Sequence, residues 1–172
     1  MALSNKDEIM KRFTPLFIMA MPFFLAGCEN DATVYHQYRT VSPQGWERED
    51  TLSFVLPDST FTEHCYQLEI GLRHTENYAY RDLWIAIIRP HSVPPACDTL
   101  HLELADRKGK WHGEGNSSTL YQFHAPAGKI TLSHADTLVQ LVHLMASPCL
   151  KGITDAGIRL SLTGSVDTQK DK

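Results

Sequence analysis

Histidine is the side chain whose chemistry stands out in this sequence, because the 172 residues include nine of them. A neutral imidazole is a common metal ligand and a common general base. The nine are scattered singly: His36, His64, His74, His91, His101, His112, His124, His134 and His143. None lies in a zinc-protease, serine-hydrolase, P-loop or paired-cysteine motif. We therefore expect solvated or strand-exposed histidines that make the surface charge sensitive to mild acid. No enzyme, catalytic residue, metal site or cofactor is expected.

Cys28 follows a segment typical of an export signal. Lys11 and Arg12 precede an almost wholly apolar run over residues 13–25. That run is too short to span a bilayer and suits a signal peptide. It ends in Leu-Ala-Gly before Cys28, and such small residues suit a peptidase whose product carries a lipidated cysteine. This pattern resembles a bacterial lipoprotein box, so we expect lipidation at Cys28; the alternative is a buried N-terminal helix with a chance cysteine.

The signal divides the chain into four segments. We expect a lipoprotein signal peptide over 1–27, a lipidated tether over 28–33, one domain over 34–163 and a flexible polar tail over 164–172. No second apolar run reaches about 18 residues, so we expect an anchored protein rather than one that spans the membrane.

Charge excludes one class of partner. The sequence has 16 Lys and Arg against 20 Asp and Glu, interspersed along the chain, for a net charge of −4. Nucleic-acid-binding domains carry a clustered basic excess instead. We therefore expect no nucleic-acid partner.

Three cysteines remain after the signal: Cys65, Cys97 and Cys149. An exported protein can form disulfides, and an odd number allows at most one intramolecular pair. The alternative is that all three are small buried apolar residues.

Alternation of apolar and polar residues dominates the domain and predicts strands with one buried face. It covers residues 52–56, 66–72, 100–104, 130–132 and 158–162. Residues 83–88 are apolar throughout and predict a central strand covered on both faces. Residues 138–145 fit either a helix or a strand, and we favour a strand. The fold class predicted is all-β: an antiparallel β-sandwich, Ig-like or jelly-roll-like, of about eight strands.

Three tryptophans could form a platform on which sugar rings stack: Trp46, Trp84 and Trp111. Trp84 lies in the most apolar strand, so we place it in the core. Trp111 is the only large apolar residue of the glycine-rich segment 109–115, and we expect its ring to fold back onto the sandwich. A contact surface is the alternative for Trp111.

Arg73 and Asp106 each end a predicted strand next to a turn. A charged side chain there can satisfy loose backbone groups. We therefore expect both to be structural, bonded to backbone or to a partner charge.

Several segments in order resemble the GldH family of gliding-motility-associated lipoproteins of Bacteroidota, over roughly residues 28–162. They are LRHTENYAYRDLW at 72–84, DTL at 98–100, LAD at 104–106, GKWHGEG at 109–115, HLM at 143–145 and LKGITDAGI at 150–158. Ala79 and Ala146 depart from the family's usual proline and arginine. The candidate structural or interaction residues are Arg73, Tyr78, Trp84, Asp106, Trp111, Gly113, Gly115, Gly152, Asp155 and Gly157.

This resemblance implies a non-enzymatic lipoprotein of the cell envelope, anchored in the outer membrane, with palmitate among its lipid chains. It would support gliding or surface assembly linked to type IX secretion, with other envelope motility or secretion proteins as partners. Family members also occur in organisms that do not glide, so a broader role in envelope assembly is open. The alternative is a surface lipoprotein that binds glycans through exposed tryptophans.

Overall fold

The computed structural model describes residues 33–57, 64–117 and 119–163. The predicted signal peptide, Cys28 and the predicted tail lie outside them. The described residues form eleven strands: β1 (Thr33–Thr40), β2 (Trp46–Glu47), β3 (Leu52–Val55), β4 (His64–Thr75), β5 (Asp82–Arg89), β6 (Ala96–Glu103), β7 (Glu114–Ser117), β8 (Leu120–Leu132), β9 (Leu138–His143), β10 (Cys149–Leu150) and β11 (Ile153–Leu162). Within these ranges no helix is long and apolar enough to cross a bilayer.

The strands form antiparallel sheets. The first sheet, sheet A, has five strands in the order β1-β11-β4-β8-β7, and the second, sheet C, has four in the order β3-β9-β5-β6. The short strands β2 and β10 pair with each other and form sheet B. The predicted class, an all-β sandwich, is confirmed. Residues 138–143 are a strand, as we favoured.

The core is made by the inner faces of the two sheets. On β4, Tyr66, Leu68, Ile70 and Leu72 are buried, as the alternation predicts. From sheet C the buried side chains include Phe54, Leu83, Ile85, Leu102, Val139 and Leu141. The alternation fails at one end, because Leu162 of β11 is exposed.

The apolar run of β5 is not buried on both faces. Leu83, Ile85 and Ile87 face the core, whereas Trp84 points outward with 42% of its surface exposed. The prediction that Trp84 lies in the core is therefore wrong. An apolar run predicts which residues form the strand. Side chains alternate between the two faces of the sheet, and Trp84 lies on the outer face.

The three cysteines do not follow the alternative in which all of them are small buried residues. Cys65 and Cys97 are exposed, Cys149 is half-buried, and all three are free thiols. The alternative that all three are buried is therefore wrong, and the strand geometry explains why. Cys65 alternates with the buried Tyr66 on β4, and Cys97 lies on the same outward face of β6 as His101, so both point away from the core.

Candidate interaction sites

A chain of polar side chains crosses the outer face of sheet A, and we call it the polar network. At its centre the Glu69 carboxylate accepts a hydrogen bond from Arg159 Nη2 at 2.9 Å and lies 3.1 Å from His124 Nδ1. His124 Nε2 is 2.7 Å from Gln122 Nε2. The side-chain oxygen of Gln122, Oε1, accepts a hydrogen bond from Arg73 Nε at 3.4 Å. Three neighbouring strands, β11, β4 and β8, supply these five residues.

The ring of Tyr38 lies across two glycines beside this network. A Cβ at Gly71 would collide with the Tyr38 ring, and one at Gly157 would be 2.8 Å from it. Both glycines therefore leave room for a ring lying flat on the sheet. The guanidinium carbon of Arg73 is 4.2 Å from the ring centroid, a cation–π distance. Burial raises the pKa of the Tyr38 hydroxyl, and the charge of Arg73 opposes that shift.

Two more ionisable residues border the polar network. Asp155 pairs in register with Arg73, and its Oδ1 accepts a hydrogen bond from Thr40 Oγ1 at 3.0 Å. His36 pairs in register with Arg159. Partial burial lowers the pKa of His36, and the positive charge of Arg159 lowers it further. His36 is therefore neutral at neutral pH.

Only part of this surface is predictable from the sequence. Arg73, Asp155 and Gly157 were candidates, and they do lie together. The partner of Arg73 differs from the expected backbone group or charge: it is an amide side chain and an aromatic ring. Tyr38, Glu69, Gln122, His124 and Arg159 were missed. Their only sequence signal was polarity at alternate positions, which any water-facing strand shows.

A second group is a cluster of aromatic rings around His74 at the end of the core. The imidazole of His74 is fully buried, 4.6 Å from the Trp111 ring and stacked 5.4 Å from Tyr121, with Tyr78 at 6.1 Å. His74 Nδ1 lies 3.2 Å from the carbonyl oxygen of Thr75, to which only a protonated nitrogen can donate. Burial lowers the pKa of His74, so the ring is held neutral.

Trp111 has the placement that the glycine-rich segment predicts. Its half-buried ring packs against the core, and its backbone forms a bridge to Ala105. Asp106 fixes the turn between them, because its Oδ1 accepts from the backbone N–H groups of Lys108 at 2.8 Å and Lys110 at 2.9 Å. The Lys110 amide lowers the pKa of the Asp106 carboxyl. Asp106 thus has the backbone bonds expected of it.

The structure explains why two of the remaining glycine candidates are glycines. Gly152 has a φ of 89°, and a Cβ there would collide with the Tyr78 backbone. Gly113 has a φ of 99°, and a Cβ would collide with the carbonyl of Gln122. Both positions therefore require glycine. Gly115 pairs with Tyr121 between β7 and β8. Tyr78 itself is buried, and its hydroxyl donates to the carbonyl oxygen of Asp82 at 2.9 Å.

Trp84 belongs to a third group, on the outer face of sheet C. Its ring lies 4.3 Å from that of His101 with an interplanar angle of 18°. His101 Nε2 is 3.0 Å from Asp82 Oδ2. Leu144, whose N–H donates to the carbonyl of Trp84 at 2.8 Å, is also exposed. The sandwich thus presents an exposed aromatic pair at the start of β5.

The expectation that the histidines are solvated or strand-exposed is wrong for two of them. His74 and His143 are fully buried, because each packs against aromatic rings, His143 against Trp46 at 5.6 Å. Trp46 is itself fully buried, so a sugar platform made by Trp46 and Trp111 is not present. Among the described residues no group of three or more His, Cys, Asp or Glu could hold a metal ion.

Comparisons with known proteins connect the described domain with one family. The family model described as GldH lipoprotein matches residues 33–160. A search of curated proteins found no match. A comparison with solved structures matched two of the Tobacco streak virus coat protein. The C2 crystal form has 10% identity and a TM-score of 0.29, covering 85% of this chain and 96% of that one. The dimer has 11% identity and a TM-score of 0.30, covering 84% and 95%.

Proposed function

The chain belongs to the GldH lipoprotein family, and from this premise we propose that it is a non-enzymatic envelope lipoprotein that supports gliding motility or type IX secretion-linked surface assembly. Membership indicates a gliding-motility-associated lipoprotein held to a membrane by a lipid anchor. The family match over residues 33–160 is the observation that carries the proposal. Its mode of action would be contact with other envelope proteins.

The outer membrane is the membrane we propose, with the anchor on Cys28. The lipobox-like sequence before Cys28 supports the site of attachment. Separation of inner and outer membranes from the host tests the location. Recovery of the protein with the inner membrane would contradict it, and protease treatment of intact cells assigns the face on which the domain lies.

The polar network is the surface that we assign to a protein partner. Arginine and tyrosine are enriched among the residues that dominate binding energy at interfaces. Arg73 is already held over the ring of Tyr38, and Arg159 is held by Glu69. Side chains that are ordered before binding lose less conformational entropy when a partner arrives. Both arginines of the network are therefore held in place before a partner binds.

Charge reversal at Arg159 tests this assignment in the host. A strain lacking the gene would be complemented with the wild type, with Arg159→Glu and with Lys129→Glu. Lys129 is an exposed residue on β8, so its variant makes the same charge change outside the network. We expect Arg159→Glu to abolish gliding or secretion and to lose co-purifying envelope proteins at normal abundance, whereas Lys129→Glu restores both.

If Arg159→Glu is less abundant than the wild type, His124→Ala replaces it in the test. That variant truncates an exposed side chain of the same network. If either variant were made at the wild-type level, restored gliding and retained the same co-purifying proteins, the network would have no role in recognition.

The non-enzymatic part of the proposal has its own support. The sequence lacks the hydrolase and metalloprotease motifs named above, and two of the charged candidates, Arg73 and Asp106, do not converge. Arg73 lies on the outer face of β4, whereas the Asp106 carboxylate accepts backbone N–H groups in a turn after β6. A reaction of acyl or glycosyl transfer needs a nucleophile and a base, or two carboxylates, aimed at one point.

Glycan binding is the second candidate function, and the observation that favours it is the exposed pair of Trp84 and His101. Aromatic rings stack on sugars, and the nearby Asp82 carboxylate could accept hydroxyl hydrogen bonds. A glycan array probed with the purified lipoprotein tests it. Binding that is lost in Trp84→Ala and kept in Trp111→Phe would support this candidate; no binding to host-surface glycans would contradict it.

A further inference from the structure

The start of β1 marks one end of the sandwich, which we call the anchor end and define by Thr33, Val55, Cys65, Val93 and Leu162. β1 and β4 both pair antiparallel with β11, so they run in the same direction and begin at this end. Thr33 pairs with Ser161, next to Leu162. Cys65 is the second residue of β4.

Sheet C reaches the same end through the last residues of β5 and β3. Arg89 Nη1, at the end of β5, donates to the carbonyl of Thr131, which pairs with Cys65. β3 and β5 both pair antiparallel with β9, so β3 also ends here, at Val55. The connection from β5 to β6 therefore lies at the anchor end, and it carries Val93.

Exposed aliphatic side chains collect at this end. Val93 is 89% exposed, Val55 is 63% exposed and Leu162 is 41% exposed. The other large hydrophobic residues exposed in the described ranges are Tyr80, Trp84 and Leu144, which lie at the opposite end, before or at the start of β5 and just after β9.

The predicted tether is short compared with the domain. Thr33 follows Cys28 by five residues, and a fully extended chain of that length spans at most about 17 Å. β4 has 12 residues and spans about 40 Å at the usual rise of a strand. A lipid on Cys28 thus keeps the start of β1 near the bilayer, whereas the opposite end can lie more than twice as far away.

We propose that the anchor end docks on the lipid surface through Val93, Val55 and Leu162, so that the end bearing Trp84 points away from the membrane. The proposal rests on the lipid anchor of the proposed function. Three aliphatic side chains offer little apolar area to a free protein. A covalent tether raises the effective concentration of the bilayer at this surface, so a weak contact becomes well populated.

Tryptophan quenching in vesicles tests this orientation. The full lipidated protein would be reconstituted in phosphatidylcholine vesicles as the wild type, Val93→Trp and Leu144→Trp. Acyl chains carrying bromine quench indoles that enter the bilayer. We expect brominated lipid to quench the extra emission of Val93→Trp by at least half and to leave the extra emission of Leu144→Trp unchanged. The wild type supplies the background of the native tryptophans.

Two outcomes separate the orientation from the anchor. If the wild type fails to float with vesicles, the lipid anchor and the orientation are both overturned. If it floats but brominated lipid spares Val93→Trp, or quenches Leu144→Trp equally, only the orientation is overturned. Val55→Trp, at a second exposed position of the same end, replaces Val93→Trp if that variant fails to fold, and the same readings decide.

Discussion

Truncation of Trp111 gives a direct measure of how far the glycine-rich loop depends on one side chain. The half-buried ring packs against His74, Tyr121 and Tyr78, with centroid distances of 4.6, 6.0 and 6.5 Å. Trp111→Ala removes these contacts and leaves a gap over the buried imidazole. The backbone bonds made by Asp106 remain, so the turn itself should persist.

The magnitude follows from partial burial. Full burial of a large apolar side chain contributes about 1.5–3 kcal/mol, and truncation in a closed core costs about 3–5 kcal/mol. Trp111 is only half-buried, so its transfer contribution is reduced to about 1–1.5 kcal/mol. Loss of its ring pairs adds about 0.5–1.5 kcal/mol. We expect a loss of about 1.5–3 kcal/mol, which lowers Tm by about 5–12 °C in a domain of this size.

Thermal unfolding followed by far-ultraviolet circular dichroism measures this loss without depending on tryptophan emission. Trp111→Phe keeps an aromatic ring over His74 and should lose less than half as much. Leu144→Ala truncates an exposed side chain and should match the wild type. A Tm of Trp111→Ala within about 2 °C of the wild type would refute the reasoning. If that variant also lost a partner or a glycan at normal abundance, Trp111 would be a binding residue.

Three further predictions concern the lipid anchor, a glycine beneath the Tyr38 ring and the pH dependence of stability. Cys28→Ser should leave the protein unprocessed or mislocalised, and unchanged migration and fractionation would contradict lipidation. Gly71→Val should displace the Tyr38 ring at a cost of about 1–3 kcal/mol, read from the urea midpoint. Because burial lowers the pKa of His74 and His143, the unfolded chain takes up protons first as pH falls. Stability should therefore be constant between about pH 7 and 8 and fall below about pH 6.5, by up to about 1.4 kcal/mol per pH unit for each of these two histidines. A urea midpoint that does not change between pH 7.5 and 5.5 would contradict this.

Most of the fold was predictable because alternation reports directly on a buried face. Tyr66 and Leu72 lie at the ends of a run in which every second residue is apolar, and a strand is the conformation that puts such residues on one side. The outward side of β5 was not predictable in the same way. Six consecutive apolar residues predict burial on both faces, yet the ring of Trp84 stacks on His101 of the neighbouring strand β6 and stays 42% exposed.

The sites were less predictable because they depend on pairs that are distant in sequence. His74 looks like any polar residue at the end of a strand until Trp111 and Tyr121 are brought over it by the fold. Glu69 and Arg159 are 90 residues apart and meet only because β11 pairs with β4 in one register. A shift of that register by one residue would turn one strand's side chains to the opposite face.

The proposed orientation decides which kind of partner can reach each surface. With the anchor end on the lipid, the strands of sheet A stand along the membrane normal, and Glu69 lies about midway along β4. The polar network then faces sideways, toward proteins that are embedded in or tethered to the same membrane. The pair of Trp84 and His101 lies on the outer face of the other sheet, about 17 Å along β5 from Arg89 at the anchor end, so it meets components on the opposite side of the sandwich. Loss of the network through Arg159→Glu and loss of the aromatic pair through Trp84→Ala should therefore remove different co-purifying proteins.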